Sequence, residues 1–309
     1  MKHIPDLRES FDPPPEIIEA GLNGELILFV GAGVSRLLAL PSWKELAAQV
    51  LEELRQARFI NYSELEQLRT LTPKIQMSIA DLLAHDNQYA LDITKYLKDR
   101  NISGTIYESI NNIGCSCVTT NYDELIAPRS IEPVDDSTTS VDIRRISDRN
   151  DIYANLLNEP GTVIHLHGSI SKPETMVVTT KEYLELYDHK NIQEFLGEMF
   201  EKMTILFLGY GLEETEILEH ILRRGSAKAN CERKRFVLQG YYLSQVPLYY
   251  QLYRYYEHSF GVHLLGYVKD YENHKCLEKI IKSWVEKIQI RRQPLVKDID
   301  FMIEVLGDD

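Results

Sequence analysis

The chain has 309 residues, of which 44% are hydrophobic and 26% charged, and its formal net charge is −13. That length is enough to bury a large core in one domain or in two small ones. The acidic balance argues against direct nucleic-acid binding, because proteins that neutralise phosphates carry basic surfaces and only short basic clusters occur here, such as Arg144-Arg145, Arg223-Arg224 and Arg291-Arg292. No apolar run approaches the roughly 18 residues of a membrane span, and the first thirty residues lack a signal-peptide pattern. We therefore expect a cytoplasmic protein that does not enter a membrane.

Four cysteines occur, at positions 115, 117, 231 and 276. No two of them have the CxxC spacing that is typical of a structural zinc site. Cys115 and Cys117 lie in an apolar stretch, where small buried side chains are the simplest interpretation. The sequence therefore predicts no bound metal.

The first third of the chain changes from a strand pattern to a long helical pattern. A short helix around 15–23 is followed by LILFV at 26–30, a continuous apolar run typical of a strand that is buried on both faces. Ser42 and Glu45 have the spacing of a capping box and predict the start of the first long helix. The pattern then stays helical to about residue 112, which predicts a helical module inserted into an α/β core.

Strands and helices alternate in the rest of the chain. The predicted strands are 115–120, 161–170, 175–178, 204–208, 235–239 and 262–267. The predicted helices are 180–187, 192–203, 213–224, 245–260 and 273–288, and residues 128–150 are predicted to be an exposed polar connection. This alternation predicts a Rossmann-like α/β fold, a parallel sheet with helices on both faces. We expect a single domain over 1–309, with its α/β core at 24–42 and 113–290, the helical insertion at about 42–112 and a C-terminal extension at 291–309.

Four predicted strands end in glycine, small or polar residues. These endings are Gly31-Ala32-Gly33-Val34-Ser35, Thr119-Thr120-Asn121-Tyr122-Asp123, His165-Leu166-His167-Gly168-Ser169 and Gly209-Tyr210-Gly211. Ligands of open α/β sheets bind outside the carboxyl ends of the strands. We therefore expect the four endings to converge on one crevice, with the two glycine loops as two of its walls.

Each ending taken alone has a structural explanation as well as a functional one. GAGVSR lacks the third glycine of the dinucleotide-binding fingerprint, so a tight strand-to-helix turn explains it equally well. Asn121 and Asp123 are common turn residues. His167 suits a general base because imidazole titrates near neutral pH. His165 competes for that role, because side chains two positions apart on a strand share a face. We favour His167, which lies at the end of the strand.

GAGVS, TTNYD, LHGS and FLGYGL, in that order, resemble the motifs of the sirtuin (SIR2) superfamily. More narrowly, they are similar to those of SIR2-like NAD⁺-consuming effectors of prokaryotic anti-phage defence systems. The resemblance covers roughly residues 24–42 and 113–285. It implies a role for particular positions in NAD⁺ binding and catalysis.

The resemblance implies His167 and Asn121 as catalytic residues. The positions that it implies for NAD⁺ binding are Gly31, Ala32, Gly33, Ser35, Thr120, Asp123, Gly209, Tyr210, Gly211 and Tyr267. The GAGVS loop would contact phosphate and ribose, with the pyrophosphate on backbone N–H groups of 31–35. Asn121 and Asp123 would lie near the nicotinamide ribose, and Gly209 and Gly211 beside the adenosine ribose. Tyr267, expected after the last strand, would close over the adenine.

The chain lacks the four-cysteine zinc module of protein-deacylating sirtuins. The resemblance therefore implies an NAD⁺ glycohydrolase that uses NAD⁺ as substrate, needs no metal and releases nicotinamide and ADP-ribose. Two alternatives stay open. One is an NAD⁺-dependent deacylase or ADP-ribosyltransferase, and the other is a sensor that binds NAD⁺ or ADP-ribose without turnover.

A tyrosine-rich stretch at 241–256 allows two interpretations. Tyrosines suit protein interfaces because they bury a large area and keep a polar group, but a helix packed on the sheet explains the pattern too. Because uncontrolled NAD⁺ hydrolysis would harm the cell, the resemblance leads us to expect a homo-oligomer, a regulatory partner protein of a defence system, or both.

Overall fold

The computed structural model describes residues 6–98, 105–128, 143–159, 161–211, 217, 221, 234–269 and 275–288. Its centre is a seven-stranded sheet in which every pair of neighbours is parallel, in the order β3-β4-β2-β1-β5-β6-β7. The strands are β1 (Leu26–Val30), β2 (Ser116–Thr119), β3 (Arg145–Ile146), β4 (Val163–His165), β5 (Thr204–Leu208), β6 (Arg235–Tyr241) and β7 (His263–Val268). The predicted Rossmann-like α/β fold is confirmed.

Helices cover both faces of the sheet. The helices are α1 (Pro15–Asn23), α2 (Ala32–Arg36), α3 (Trp43–Gln56), α4 (Tyr62–Leu68), α5 (Pro73–Asp86), α6 (Thr105–Ile113), α7 (Thr180–Asp188), α8 (Lys190–Lys202), α9 (Val246–Phe260) and α10 (Lys275–Ile288). Helices α1, α6 and α10 pack on the face that buries Leu28, and α7, α8 and α9 pack on the face that buries Phe29. Because both faces are covered, all five residues of β1 are buried, which explains its continuous apolar run.

The strand order places a ligand crevice beside β1. The chain passes from β1 to β2 on one side and later returns to β5 on the other, so the direction of winding reverses at β1. The strand register pairs Val30 with both Thr119 and Leu208, and Thr119 with His165. Four strands therefore end at the same level, and the four segments that follow them start side by side, as the sequence predicts.

The inserted helices build a separate apolar cluster. Helices α3, α4 and α5 pack together through Val50, Leu54, Leu65 and Met77. Helix α6, in contrast, packs on the sheet with Ile106 and Ile110. Within the predicted insertion, the part with its own core therefore runs from Trp43 to about residue 98, and we call it the helical module. The domain boundaries themselves stay a prediction.

Local sequence signals correctly predicted several helix ends. The capping box of Ser42 and Glu45 starts α3, and that of Thr179 and Glu182 starts α7. Gly24 ends α1 with left-handed backbone. These ends were predictable because capping depends on residues within one turn of each other.

Two predictions about elements were wrong. Residues 175–178 contain no strand, because a 3₁₀ turn at Pro173–Thr175 leads into a segment that forms no ladder and reaches the end of β4 through the bond from Val177 N–H to the His167 carbonyl, at 2.9 Å. Of the polar connection predicted at 128–150, residues 129–142 lie outside the described residues, and the described part contains the short edge strand β3, which has no apolar run because neither of its residues is fully buried. The helix predicted at 213–224 lies mostly outside the described residues, where only Ile217 and Ile221 are placed, both buried and helical.

The tyrosine-rich helix α9 packs on the sheet. Tyr249, Tyr253 and Tyr256 are buried in the core on that face, whereas Tyr255 is half exposed. The packing interpretation holds for the three buried tyrosines, and an interface on this helix stays a prediction. In the described part of the chain, no helix is long and apolar enough to cross a membrane.

A partly buried carboxylate stabilises the helical module. Glu53 Oε1 accepts hydrogen bonds from Tyr89 (2.7 Å) and Lys95 (2.6 Å), and Glu53 Oε2 accepts one from Tyr96 (2.5 Å). Burial alone would raise the pKa of Glu53, but these donors hold it below its usual value. We expect Glu53→Gln to lower the free energy of unfolding by about 1–2 kcal/mol, because an amide replaces one acceptor with a donor. Urea denaturation measures this, and Glu52→Gln, at an exposed pair with Arg55, is the control that leaves stability unchanged.

Candidate active site

The two glycine loops pack directly against each other. Gly31 N–H donates to the Leu208 carbonyl (2.9 Å), and Gly33 N–H donates to the Gly209 carbonyl (2.8 Å). A Cβ atom on Gly33 would lie 2.6 Å from the carbonyl oxygen of Gly209. The loops need glycine because their backbones touch, and this contact joins them at the carboxyl edge of the sheet, as expected.

This contact limits the backbone N–H groups with which the first loop can bind a ligand. The N–H groups of Gly31 and Gly33 donate to the second loop, and Val34 N–H donates to the Gly31 carbonyl at 3.1 Å. These three N–H groups are therefore engaged inside the protein. The expected pyrophosphate contact with residues 31–35 cannot come from them while the loops are paired. Ala32, half-buried at the start of α2, lies beside them.

Ser35 joins the first glycine loop to the segment after β2. Its hydroxyl donates to Asp123 Oδ2 (2.8 Å) and accepts from Asn121 Nδ2 (2.9 Å). The Tyr107 hydroxyl, from α6, lies 2.9 Å from the same oxygen. A serine hydroxyl has one donor and two acceptor positions, and all three are used here. Ser35 therefore holds Asn121 and Asp123 in place, and has no position left for a ribose or phosphate.

Asn121 and Asp123 are both buried and tightly held. Asn121 N–H donates to Thr119 Oγ1 (3.0 Å), whose hydroxyl donates to the Val30 carbonyl (2.8 Å). Burial raises the pKa of Asp123, against the hydrogen bonds from Ser35 and from the Leu125 N–H group. Thr120, which precedes Asn121 in the same strand ending, is half-buried. The segment 120–123 therefore presents an amide and a carboxyl group in fixed positions beside β1.

His167 lies in a pocket of tyrosines from α7. Its Nε2 atom is 2.9 Å from the Tyr187 hydroxyl, and its Nδ1 atom is 3.4 Å from the Tyr183 hydroxyl. The side chain is only 2% exposed. Burial lowers the pKa of His167 to about 3, and the positive charge of Lys74 on α5 acts in the same direction. The imidazole is therefore neutral at physiological pH, with both ring nitrogens engaged.

His165 and His167 occupy different surroundings, so the expectation that they share a face was wrong. Strand β4 ends at His165, and the alternation of side chains ends with it. His165 Nδ1 lies 3.1 Å from the Asn121 carbonyl, which can only accept, so Nδ1 carries the proton. His165 supports the backbone of Asn121, while His167 points to α7. Burial lowers the pKa of His165 as well.

The remaining predicted residues do not all gather at the crevice. Tyr210 is buried against Phe29 and Phe207, with ring centroids 4.9 and 5.6 Å apart, and Gly211 beside it is exposed. Tyr267 does not follow the last strand as expected, because it lies inside β7, the edge strand furthest from β1 on that side. Its ring is buried and covers Gly240 of β6. A packing role explains Tyr267, and its contact with adenine stays a prediction.

Sequence reasoning missed three kinds of contributor to this site. They are the hydroxyl of Tyr107, the α7 tyrosines around His167, and Glu124, which accepts hydrogen bonds from Ser169 and Ser171. The capping box at Thr179 was a usable signal, because it starts a helix soon after His167 and places tyrosines one turn apart on it. Among the residues that the structure describes, no group of three or more histidine, cysteine, aspartate or glutamate side chains could hold a metal ion.

Comparison with known proteins supports the motif-based interpretation. Residues 116–254 match the family model described as the SIR2-like domain. The chain is also similar to Defense-associated sirtuin 2 of Bacillus subtilis, with 32% identity over 209 residues. That alignment covers 65% of this chain and 19% of the relative, so the chain spans about a fifth of the length of the curated protein it matches.

The family match and the geometry concern the same residues. Asn121, Asp123, His167 and Gly209 lie inside the matched range, and Ser35 lies outside it but is hydrogen-bonded to two of them. The first glycine loop is thus part of the same site. Residues 116–254 are similar to a SIR2-like domain, and the resemblance indicated by the four strand-end motifs is confirmed.

Proposed function

We propose that this protein is an NAD⁺ glycohydrolase that cleaves NAD⁺ to nicotinamide and ADP-ribose. The observation that carries the proposal is the hydrogen-bonded group of Ser35, Asn121 and Asp123, which joins two distant SIR2-like motifs where the sheet reverses its winding. SIR2-like domains act on NAD⁺, and a buried amide beside a carboxyl group suits the hydroxyl groups and carboxamide of a nicotinamide riboside. The relative's name further leads us to propose a role in anti-phage defence.

The reaction breaks the bond between the pyridinium nitrogen of nicotinamide and C1′ of the ribose. The bonding electron pair leaves with the nitrogen, so nicotinamide departs neutral and positive charge develops on the ribose ring. Water then bonds to C1′ through its oxygen, and its surplus proton passes to a base. A positive charge inside a low-dielectric site is stabilised by a nearby carboxylate. Asp123, when ionised, would supply that charge, and Asn121 would orient the ribose or the attacking water.

His167 would accept the proton from the water or from a ribose hydroxyl. Its Nε2 atom is hydrogen-bonded to the Tyr187 hydroxyl, so that bond has to exchange for one with the substrate. Because the ring is neutral, it already has the lone pair that a base needs. We propose no metal in this reaction, because water attack on an oxocarbenium-like ribose needs only orientation and a proton acceptor.

One observation favours a second candidate function. Both ring nitrogens of His167 are engaged, and its low pKa makes it a weak base. A protein that binds NAD⁺ or ADP-ribose without turnover would tolerate such a histidine. The two candidates differ in one product, since only the hydrolase releases nicotinamide.

The experiment measures nicotinamide release from NAD⁺ by the purified full chain and its variants. We expect Asn121→Ala and His167→Ala each to lower the rate roughly 100-fold or more, because they remove orientation and general-base catalysis. The matched controls are Asn191→Ala, at a half-buried position on α8, and His85→Ala, at an exposed one, and we expect both to retain the wild-type rate. Full turnover in His167→Ala would overturn its role as the base.

Binding and product analysis separate the alternatives. If no sample releases nicotinamide but calorimetry detects NAD⁺ binding, the hydrolase is overturned and the sensor is supported. Nicotinamide release that depends on an added acetylated peptide would indicate a deacylase instead, and ADP-ribose attached to protein would indicate a transferase. We also propose that the activity is cytoplasmic and controlled by self-association or by a partner protein, because uncontrolled loss of NAD⁺ would harm the cell.

A further inference from the structure

The surroundings of His167 come from two different parts of the chain. Tyr183 and Tyr187, one turn apart on α7, contact its ring, with centroids 4.8 and 6.0 Å from that of the imidazole. Lys74 on α5 of the helical module places its Nζ atom 4.0 Å from the centroid of the Tyr183 ring. Among the described residues, the charged and titratable groups shown to face His167 are therefore Tyr183, Tyr187 and Lys74.

The two tyrosines define the position and the tautomer of the imidazole. A neutral imidazole has one N–H group and one lone pair, and a tyrosine hydroxyl can accept from the first or donate to the second. Tyr187 satisfies Nε2 at 2.9 Å and Tyr183 lies 3.4 Å from Nδ1. The shorter bond makes Tyr187 the stronger partner. Without its hydroxyl, the buried Nε2 atom loses that bond, and both the ring position and the tautomer become less defined.

The helical module holds α7 against His167. The Ser78 hydroxyl on α5 donates to the Lys74 carbonyl (2.8 Å), accepts from the Thr180 N–H group (2.8 Å) and lies 3.1 Å from Thr180 Oγ1. Val178, just before α7, packs on the apolar cluster of the module. Helix α7 is thus connected at its first turn to the helical module, and along its next two turns to His167. A displacement of the module would act on the imidazole through this helix.

We propose that Tyr187 and Tyr183 are positioning residues for His167, and that Lys74 and Ser78 couple the helical module to this histidine. The inference rests on the proposed function, in which His167 is the base. It assigns the helical module a role in the reaction without placing it in contact with the substrate. If the tyrosines had a purely structural role, removal of one hydroxyl would leave the ring position and the tautomer of the imidazole unchanged.

The first test is Tyr187→Phe, which removes the hydroxyl and keeps the ring. We expect kcat for nicotinamide release to fall roughly 10- to 100-fold, because a base that is poorly placed loses part of its catalytic effect. KM should stay within about twofold, since no contact with the substrate is lost. Tyr153→Phe, at a side chain that is 52% exposed, is the matched control and should keep the wild-type kcat.

A spectroscopic measurement tests the inference without relying on turnover. ¹⁵N-histidine labelling of the full chain resolves the imidazole nitrogens, and the His167 signals are assigned by their absence in His167→Gln. We expect the Nε2 and Nδ1 shifts of His167 to change in Tyr187→Phe and to stay constant in Tyr153→Phe. Unchanged His167 shifts in Tyr187→Phe would overturn the inference, whatever happens to the activity.

The second test addresses the helical module. Lys74→Met removes the positive charge that disfavours the imidazolium ion, so the titration midpoint of His167 should move to higher pH. Lys181→Met, which removes an exposed lysine from α7, is the control and should leave that midpoint in place. An identical midpoint in Lys74→Met would contradict the coupling. If the shifts change as expected but no sample releases nicotinamide, the positioning is supported and the proposed hydrolase fails.

Discussion

Gly209→Ala is expected to lower the free energy of unfolding by about 3 kcal/mol and to separate the two glycine loops. Gly209 has a φ of +58°, a left-handed conformation that costs other residues roughly 1–2 kcal/mol. Its Cβ atom would also lie 2.4 Å from the backbone nitrogen of Val34. A backbone atom cannot move aside as a flexible side chain can, so the loops have to part, and overpacking of this kind costs typically 1–3 kcal/mol.

Variants at two other glycines distinguish the cost of the left-handed backbone from the cost of the steric clash of the Cβ atom. Gly24 has a φ of +74° with open space around its Cβ position, so Gly24→Ala should cost only the conformational part, about 1 kcal/mol. Gly33 is the converse case, because its φ is not positive and its Cβ would lie 2.6 Å from the Gly209 carbonyl. Urea denaturation of the three variants measures each contribution. If Gly209→Ala proves no less stable than Gly24→Ala, the two loops are not in the contact described here.

The fold was largely predictable because its signals are local. A parallel sheet covered on both faces requires apolar side chains at consecutive positions, and β1 and β5 show such runs with every residue buried. Helix starts depend on residues within one turn, as at Ser42 and Thr179. The edge strand β3 was missed because its residues are only half-buried and therefore need no apolar pattern.

The candidate site was predictable only in part, because its details depend on contacts between distant segments. The strand endings identified Gly31, Gly33, Asn121, Asp123 and His167 as a group. The sequence could not show that Ser35 uses its whole hydrogen-bonding capacity inside the protein, or that the glycines serve contact between the loops as well as access for a ligand. These facts depend on which loops meet across the sheet.

The surroundings of His167 could not be predicted from the sequence either, because elements that are far apart in the chain form them. Tyr183 and Tyr187 look like ordinary buried residues of an amphipathic helix, and Lys74 looks like an exposed residue of the helical module. Only the packing of α5 on α7 gives them a common neighbour. The helical module is therefore connected to the surroundings of His167 through the packing of α5 on α7.

Unfolding at acid pH is expected to report the burial of His167. Its pKa of about 3 in the folded protein lies below its usual value of 6.5, so the unfolded chain binds a proton that the folded protein does not. Stability is therefore full above about pH 6.5, falls as the pH drops below that value, and stops falling near pH 3, where the folded form also becomes protonated. The slope is about 1.4 kcal/mol per pH unit, which amounts to about 2 kcal/mol between pH 6.5 and pH 5.

Comparison with His167→Gln isolates this contribution from that of other groups. Burial also lowers the pKa of His165, so this residue adds a slope of the same sign. Burial raises the pKa of Asp123, so the stability that Asp123 contributes is lost as the pH rises through its folded pKa. Both remain in His167→Gln, so the difference in slope belongs to His167. We expect the slope of stability against pH to be smaller in that variant by about 1.4 kcal/mol per pH unit between pH 6 and pH 4. An unchanged slope in His167→Gln would mean that the imidazole is reached by water in the folded protein, and then the tyrosines of α7 could not be what fixes its protonation state.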